Sequence, residues 1–118
     1  MGDRANIEIE ADGRSFPHPV FFYTHWNGYR INQLLKNGLI KGKARWNDAQ
    51  YLARIIFCHM IGEEWNEETG FGISTAIGDG DRHILKVHIP ENRVTDKDGK
   101  TWTFEEWIAQ DFSEEDEE

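Results

Sequence analysis

A chain of 118 residues has room for one domain around one hydrophobic core. Five Trp, three Tyr and seven Phe argue against disorder, a single Cys excludes an internal disulfide, and no apolar run approaches the roughly 18 residues of a membrane span. The net charge of −9 is unevenly spread: six of the 13 Lys and Arg fall in residues 13–47, which hold no Asp or Glu, while all 22 acidic groups lie outside that segment.

The start Met1-Gly2-Asp3-Arg4 has neither the basic nor the apolar region of a secretory signal, so a cytoplasmic protein is expected. Ala5–Ala11 alternates Ile7, Ile9 and Ala11 with Asn6, Glu8 and Glu10, the period of a strand with one wet face. Asp12-Gly13 predicts a turn, and Pro17 and Pro19 keep the next residues irregular or at an edge. Val20–Trp26 is apolar and aromatic on both faces, which predicts a central strand paired antiparallel with the first. Asn27 is placed to cap a short helix with Ile31, Leu34 and Leu35 as its apolar stripe, Gly38 to end it, and Leu39 to pack back near Leu34.

Residues 45–62 predict the helix around which the rest is organised, with Asn47 as cap, Gln50 reaching back to it, and Gly62 as the stop. Leu52, Ile55, Ile56 and Met60 line one face and Ala49, Ala53, Phe57 and Ile61 the next, so most of the cylinder needs cover. Arg54, in line with Gln50 and Cys58, then requires a partner, because a guanidinium in an apolar setting must be paired.

Glu63–Thr69 is an acidic loop. Phe71–Ile77 alternates Phe71, Ile73, Thr75 and Ile77 with small residues, and Gly78-Asp79-Gly80-Asp81 turns the chain into a returning strand, His83–Ile89, with Leu85, Val87 and Ile89 inward. Pro90-Glu91-Asn92 predicts a turn, Arg93–Asp96 a brief strand and Asp98-Gly99 another turn. In the final helix Thr103 and Glu106 form a capping box, Trp102 and Trp107 a hydrophobic staple, and Phe104, Trp107, Ile108 and Phe112 the apolar stripe. The predicted fold is α+β, a single domain over residues 1–112 in the order β-β-α-α-β-β-β-α, with an antiparallel sheet and helices mainly on one face. Residues 113–118 form an acidic tail expected to be mobile.

Met1-Gly2-Asp3-Arg4-Ala5-Asn6, Tyr23-Thr24-His25-Trp26, the helical run 45–57 and Thr69-Gly70-Phe71-Gly72-Ile73-Ser74 resemble the corresponding segments of a family of short prokaryotic and phage proteins. The resemblance covers much of the chain, implies one domain and transfers no catalytic role.

Four chemistries are worth weighing. His25, before a helix start, could act with Asp3 as orienter and Ser74 or Thr24 as nucleophile in a hydrolase; the simpler reading is a histidine bonded within the strand's packing. Arg45, Asp48 and Arg54, with Asp3, Arg4 and Tyr51, could form a polar site or a structural ion-pair network. The strip Arg30, Lys36, Lys41, Lys43 and Arg45, interleaved with Tyr29 and Trp46, could track phosphates, but the acidic remainder would repel a polyanion and no nucleic-acid motif is present. Glu63, Glu64, Glu67, Glu68, Asp79, Asp81 and the tail could instead mimic nucleic acid before a basic groove, as a phage inhibitor does. No metal is expected, since His83 and His88 point to opposite faces of a strand and Cys58 and His59 diverge on a helix. Nor is a cofactor expected, because Gly70-Phe71-Gly72 lacks the helix that a phosphate loop requires. The leading expectation is a small interaction module that presents Trp26, Arg30, Arg45, Trp46, Asp48 and Arg54 to a protein or small ligand, without catalysis.

Overall fold

The alternation of Ala5–Ala11 produces a strand with one fully dry face. In the computed structural model, which describes residues 5–11, 19–75, 84–89 and 91–112, this is β1 (Ala5–Ala11), with Ala5, Ile7 and Ile9 completely buried. It pairs antiparallel with β2 (Val20–Thr24), from Ala5 opposite Thr24 to Ile9 opposite Val20. β3 (Phe71–Ser74) adds antiparallel on the far side of β2. On the other side of β1 lie β4 (Ile84–Ile89), β5 (Arg93–Thr95) and β6 (Thr101–Thr103), giving a six-stranded sheet in the order β3-β2-β1-β4-β5-β6.

Two expectations about the sheet are corrected. β1 and β4 are parallel, in register from Asn6 opposite Ile84 to Ala11 opposite Ile89, so the sheet is mixed rather than antiparallel. The hairpin expected between the third and fourth strands does not form; β3 and β4 run in the same direction on opposite sides of the β1–β2 pair. Burial accounts for this choice. Leu85, Val87 and Ile89 are all buried and need a strand flanked on both sides, whereas β3, with Gly72 and Ser74 on one face, tolerates an edge. β6 falls where no strand is predicted. It is the return arm of the Asp98-Gly99 turn, in which Asp96 Oδ1 accepts the N–H groups of Asp98 and Lys100 at 2.9 Å each.

The helices follow the apolar stripes, but their ends differ from expectation. A 3-10 turn, Gly28–Arg30, precedes α1 (Ile31–Lys41), and Asn27 makes no side-chain cap; its own N–H donates to Thr24 Oγ1 at 3.1 Å. Gly38 does not stop α1. It lies inside the helix, where a Cβ would come within 3.1 Å of Ile56 Cα, so the missing side chain allows α1 and α2 (Ala49–Ile61) to cross closely. The cap of α2 is Asp48, not Asn47, and Gly62 ends the helix with a φ of +52°. α3 (Phe104–Ile108) carries the expected capping box, Thr103 with Glu106, and its Trp102–Trp107 staple places the two rings edge to face at 6.2 Å.

One core joins the dry face of the sheet to all three helices, from Ile7 and Val87 through Leu35 and Ile56 to Phe104 and Trp107. The molecule is a single α+β domain. α2 is not covered all round: Gln50, Tyr51, Arg54 and Cys58 are exposed, so Arg54 is not a buried charge in need of a partner. The predicted turns at 12–13 and 78–81, Ile77, His83, Pro90 and the tail 113–118 lie outside the described residues. Among those described, no helix is long and apolar enough to cross a membrane.

Candidate functional site

The residues expected to form a hydrolytic site are not brought together. His25 follows β2, donates its backbone N–H to the Gly70 carbonyl at 2.8 Å, and sets its ring at a tilt to Tyr23 and edge to face with Trp26, with centroids 5.9 and 5.7 Å away. Ser74 lies opposite Phe21 at the other end of β3, about 13 Å along the strand from Gly70 at the usual rise per residue. Asp3 lies outside the described residues. Trp26 is exposed beside His25, near Gly70.

The remaining expected site residues serve separate local roles. The Asp48 carboxylate accepts the Tyr51 N–H at 3.3 Å as the α2 cap, and the Arg45 guanidinium sits 5.3 Å above the Tyr51 ring. Trp46 donates Nε1–H to the Leu39 carbonyl at 3.0 Å and turns its ring edge to face against Phe104. Arg30 is half-buried in the 3-10 turn before α1. The basic strip is likewise divided, since Lys36 donates to the Gln110 carbonyl and Lys43 stands over Trp46.

Two arrangements that the motifs did not point to stand out. The first is an apolar groove of about 330 Å³ between the β2–β3 edge and α2, lined by Val20, Phe22, Ala53, Phe57, Cys58 and Ile73, with Arg54 at its rim. Ile73 faces the helix layer, yet it is 54% exposed because β3 is the last strand of the sheet and α2 does not reach over it. On the opposite face of β3, Gly72 pairs with Tyr23, whose ring occupies the space a Cβ would need. Such aromatic cover over an edge glycine holds the register of a short strand.

The second arrangement runs across the outer face of the sheet. Parallel register sets Glu10 beside His88, and antiparallel register sets Lys86 opposite Thr95. His88 Nδ1 is 3.2 Å from Glu10 Oε1, His88 Nε2 is 3.0 Å from Thr95 Oγ1, and Thr95 Oγ1 is 3.3 Å from Thr101 Oγ1. Glu8 shares a proton with Glu10. Burial, followed by the bond to Glu10 and its charge, raises Glu8 to about 7 despite Lys86 nearby. Glu10 is held below the ordinary range, first by the bond from Glu8 and, against the effect of its own burial, by His88 and Lys86. A neutral His88 with Nδ1–H toward Glu10 would accept the Thr95 O–H at Nε2, an order resembling a nucleophile, base and orienting acid.

Thr95 lies in β5 between β4 and β6, so the backbone N–H groups of the described strands around it serve the ladder and are not free to meet an oxyanion. Among the described residues, no group of three or more His, Cys, Asp and Glu is placed to hold a metal ion.

Both arrangements depend on pairing between distant segments, which periodicity does not specify. The available signals were the small outer face of β3, which marks an edge, and Glu8 and Glu10 two apart on a strand, which places both carboxylates on one face. Comparison with protein-family models, curated proteins and solved structures finds no match to this chain.

Proposed function

We propose that this protein is a non-catalytic binding module that takes up an extended peptide segment along the edge of β3, with the segment's apolar side chains in the groove beside α2. The observation that carries this reading is the coincidence of an edge strand, with no further strand beside it among the described residues, and a groove holding the half-exposed Ile73. Strand addition supplies main-chain hydrogen bonds, and alternate side chains of the added strand then reach the groove. Exposed apolar surface at a sheet edge is otherwise a liability for self-association, so a binding role explains its retention.

Charge selects the occupant. Glu63, Glu64, Glu67 and Glu68 are all exposed just before β3, the exposed Trp65 lies among them in sequence, and the exposed Trp26 ring and Glu64 Oε1 both lie beside Gly70. A second copy of the chain would bring two such acidic stretches together. A segment carrying Lys or Arg beside its apolar residues is favoured by the carboxylates and by the indole faces.

The probe is a synthetic peptide of alternating valine and lysine, with a valine and glutamate peptide as control. The valine and lysine peptide is expected to bind saturably, to shift and protect the amides of Phe71–Ser74, and to bind more weakly as salt rises. Binding that maps elsewhere, that the glutamate control reproduces, or that survives unchanged in Ile73→Glu would overturn the proposal.

A further inference from the structure

A separate cleft lies on the outer side of the α1–α2 pair. It measures about 430 Å³ and is lined by Lys41, Arg54, Ile55, Cys58, His59 and Gly62. Helical spacing brings these groups together: Arg54, Cys58 and Gly62 follow one another at intervals of one turn, Ile55 and His59 do the same alongside, and Lys41 stands in the last turn of α1. Among the described residues, no ion pair or side-chain hydrogen bond engages Lys41, Arg54 or His59.

In a chain of net charge −9, three basic side chains around one opening with no acidic partner among the described residues run against the average surface. The carboxylates that follow Gly62, Glu63 and Glu64, are exposed on the next 3-10 turn, and Glu64 Oε1 lies beside Gly70, toward β3. The Arg30 guanidinium adds a further positive charge close enough to act on His59. Burial, and then the charges of Lys41 and Arg30, hold the His59 ring below the ordinary histidine range.

We propose that this cleft binds the phosphoryl group of a small phosphorylated molecule, with Lys41, Arg54 and His59 as its ligands and Ile55 against the molecule's apolar part. A planar guanidinium matches two phosphoryl oxygens at once, an ammonium takes a third as a point charge, and an imidazole donates a further N–H. A dianion also offsets the mutual repulsion of the cations, so its arrival allows His59 to accept a proton. A carboxylate, with one charge and two oxygens, satisfies fewer of these groups. The cleft adjoins the peptide groove, and Arg54 and Cys58 line both, whereas Lys41 and His59 belong to the cleft alone.

The test uses the full chain and inorganic phosphate. The ring resonances of His59, assigned by their loss in His59→Gln, are followed by NMR through a pH titration at rising phosphate, with ionic strength held constant by sodium chloride and sodium acetate as a parallel arm. Phosphate is expected to raise the His59 titration midpoint saturably, with weaker effect from acetate, and the apparent Kd is expected to rise about tenfold or more in Lys41→Gln and again in Lys41→Gln/Arg54→Gln. Both substituted side chains are exposed, and an unchanged amide spectrum checks the fold. The proposal fails if no saturation occurs up to the order of tens of millimolar, if acetate or chloride acts as strongly as phosphate, or if the folded double variant responds like the parent chain.

Discussion

Glu8 and Glu10 differ by one intervening residue, yet they sit on opposite sides of a protonation boundary. Glu8 is the group whose burial opposes charge, and Glu10 is the one that meets His88, so the shared proton resides on Glu8 up to about pH 7. The folded-state value of Glu8 lies above its ordinary 4.5, so the native state binds the extra proton between those limits. Stability from this group is therefore fully present below about 4.5 and declines as pH rises towards 7. Glu10 has the opposite sign, contributing stability above its ordinary value that is lost as pH falls through its lowered one. Glu8→Gln keeps a hydrogen-bonding group and removes the charge. Urea unfolding is expected to show the variant close to the parent at pH 5 and more stable at pH 8, by on the order of 1 kcal/mol because solvent screens a partly exposed pair. A parent-like pH profile in the variant would mean that Glu8 does not hold the shared proton.

Among elements, the crossing of α1 and α2 depends on Gly38. Alanine at a helix interior normally stabilises by about 1 kcal/mol over glycine, but here its Cβ would meet the Ile56 backbone at 3.1 Å. Backbone cannot swing aside as a side chain can, so Gly38→Ala is expected to lose about 1–3 kcal/mol of stability in denaturant unfolding; a gain would show that the helices have room to separate. The sequence carries no mark of this contact, since Gly38 after an apolar stripe looks like a helix terminus. The capping box at Thr103 was legible because donor and acceptor lie within one turn of each other. β1, β3 and β4 were legible from alternation, whereas the three-residue β6 was not. Strand pairing was not, because the Gly78–Asp81 turn suits a hairpin, while the burial of Leu85, Val87 and Ile89 beside β1 is decided by the whole core. For the same reason neither the groove nor the outer-face network could be read from motifs: Val20, Phe57 and Ile73 come from three elements, and Glu10, His88 and Thr95 from three strands. The line Gln50, Arg54 and Cys58 on α2 stood out as polar, but its apolar neighbours pointed to burial, and its exposure was not legible.

For the molecule as a whole, the net charge of −9 makes two independent demands that salt should separate. Folding gathers the 13 acidic groups of the described residues into a domain whose radius of gyration is 13.1 Å, so like charges lie within a few Debye lengths of one another in dilute buffer. Screening relieves that repulsion in the compact state more than in the expanded chain. Raising sodium chloride from low to moderate concentration is therefore expected to raise Tm, and a gain of about 1 kcal/mol would correspond to roughly 4 °C for a domain of this size. The same change should weaken capture of a basic peptide, whose attraction to Glu63, Glu64, Glu67 and Glu68 is screened by the same ions. Calorimetry and peptide titration across one salt series thus yield opposite slopes if both attributions hold. Peptide affinity that rises together with Tm would mean that salt acts by stabilising the fold that presents the groove, and that the acidic stretch takes no part in choosing the partner.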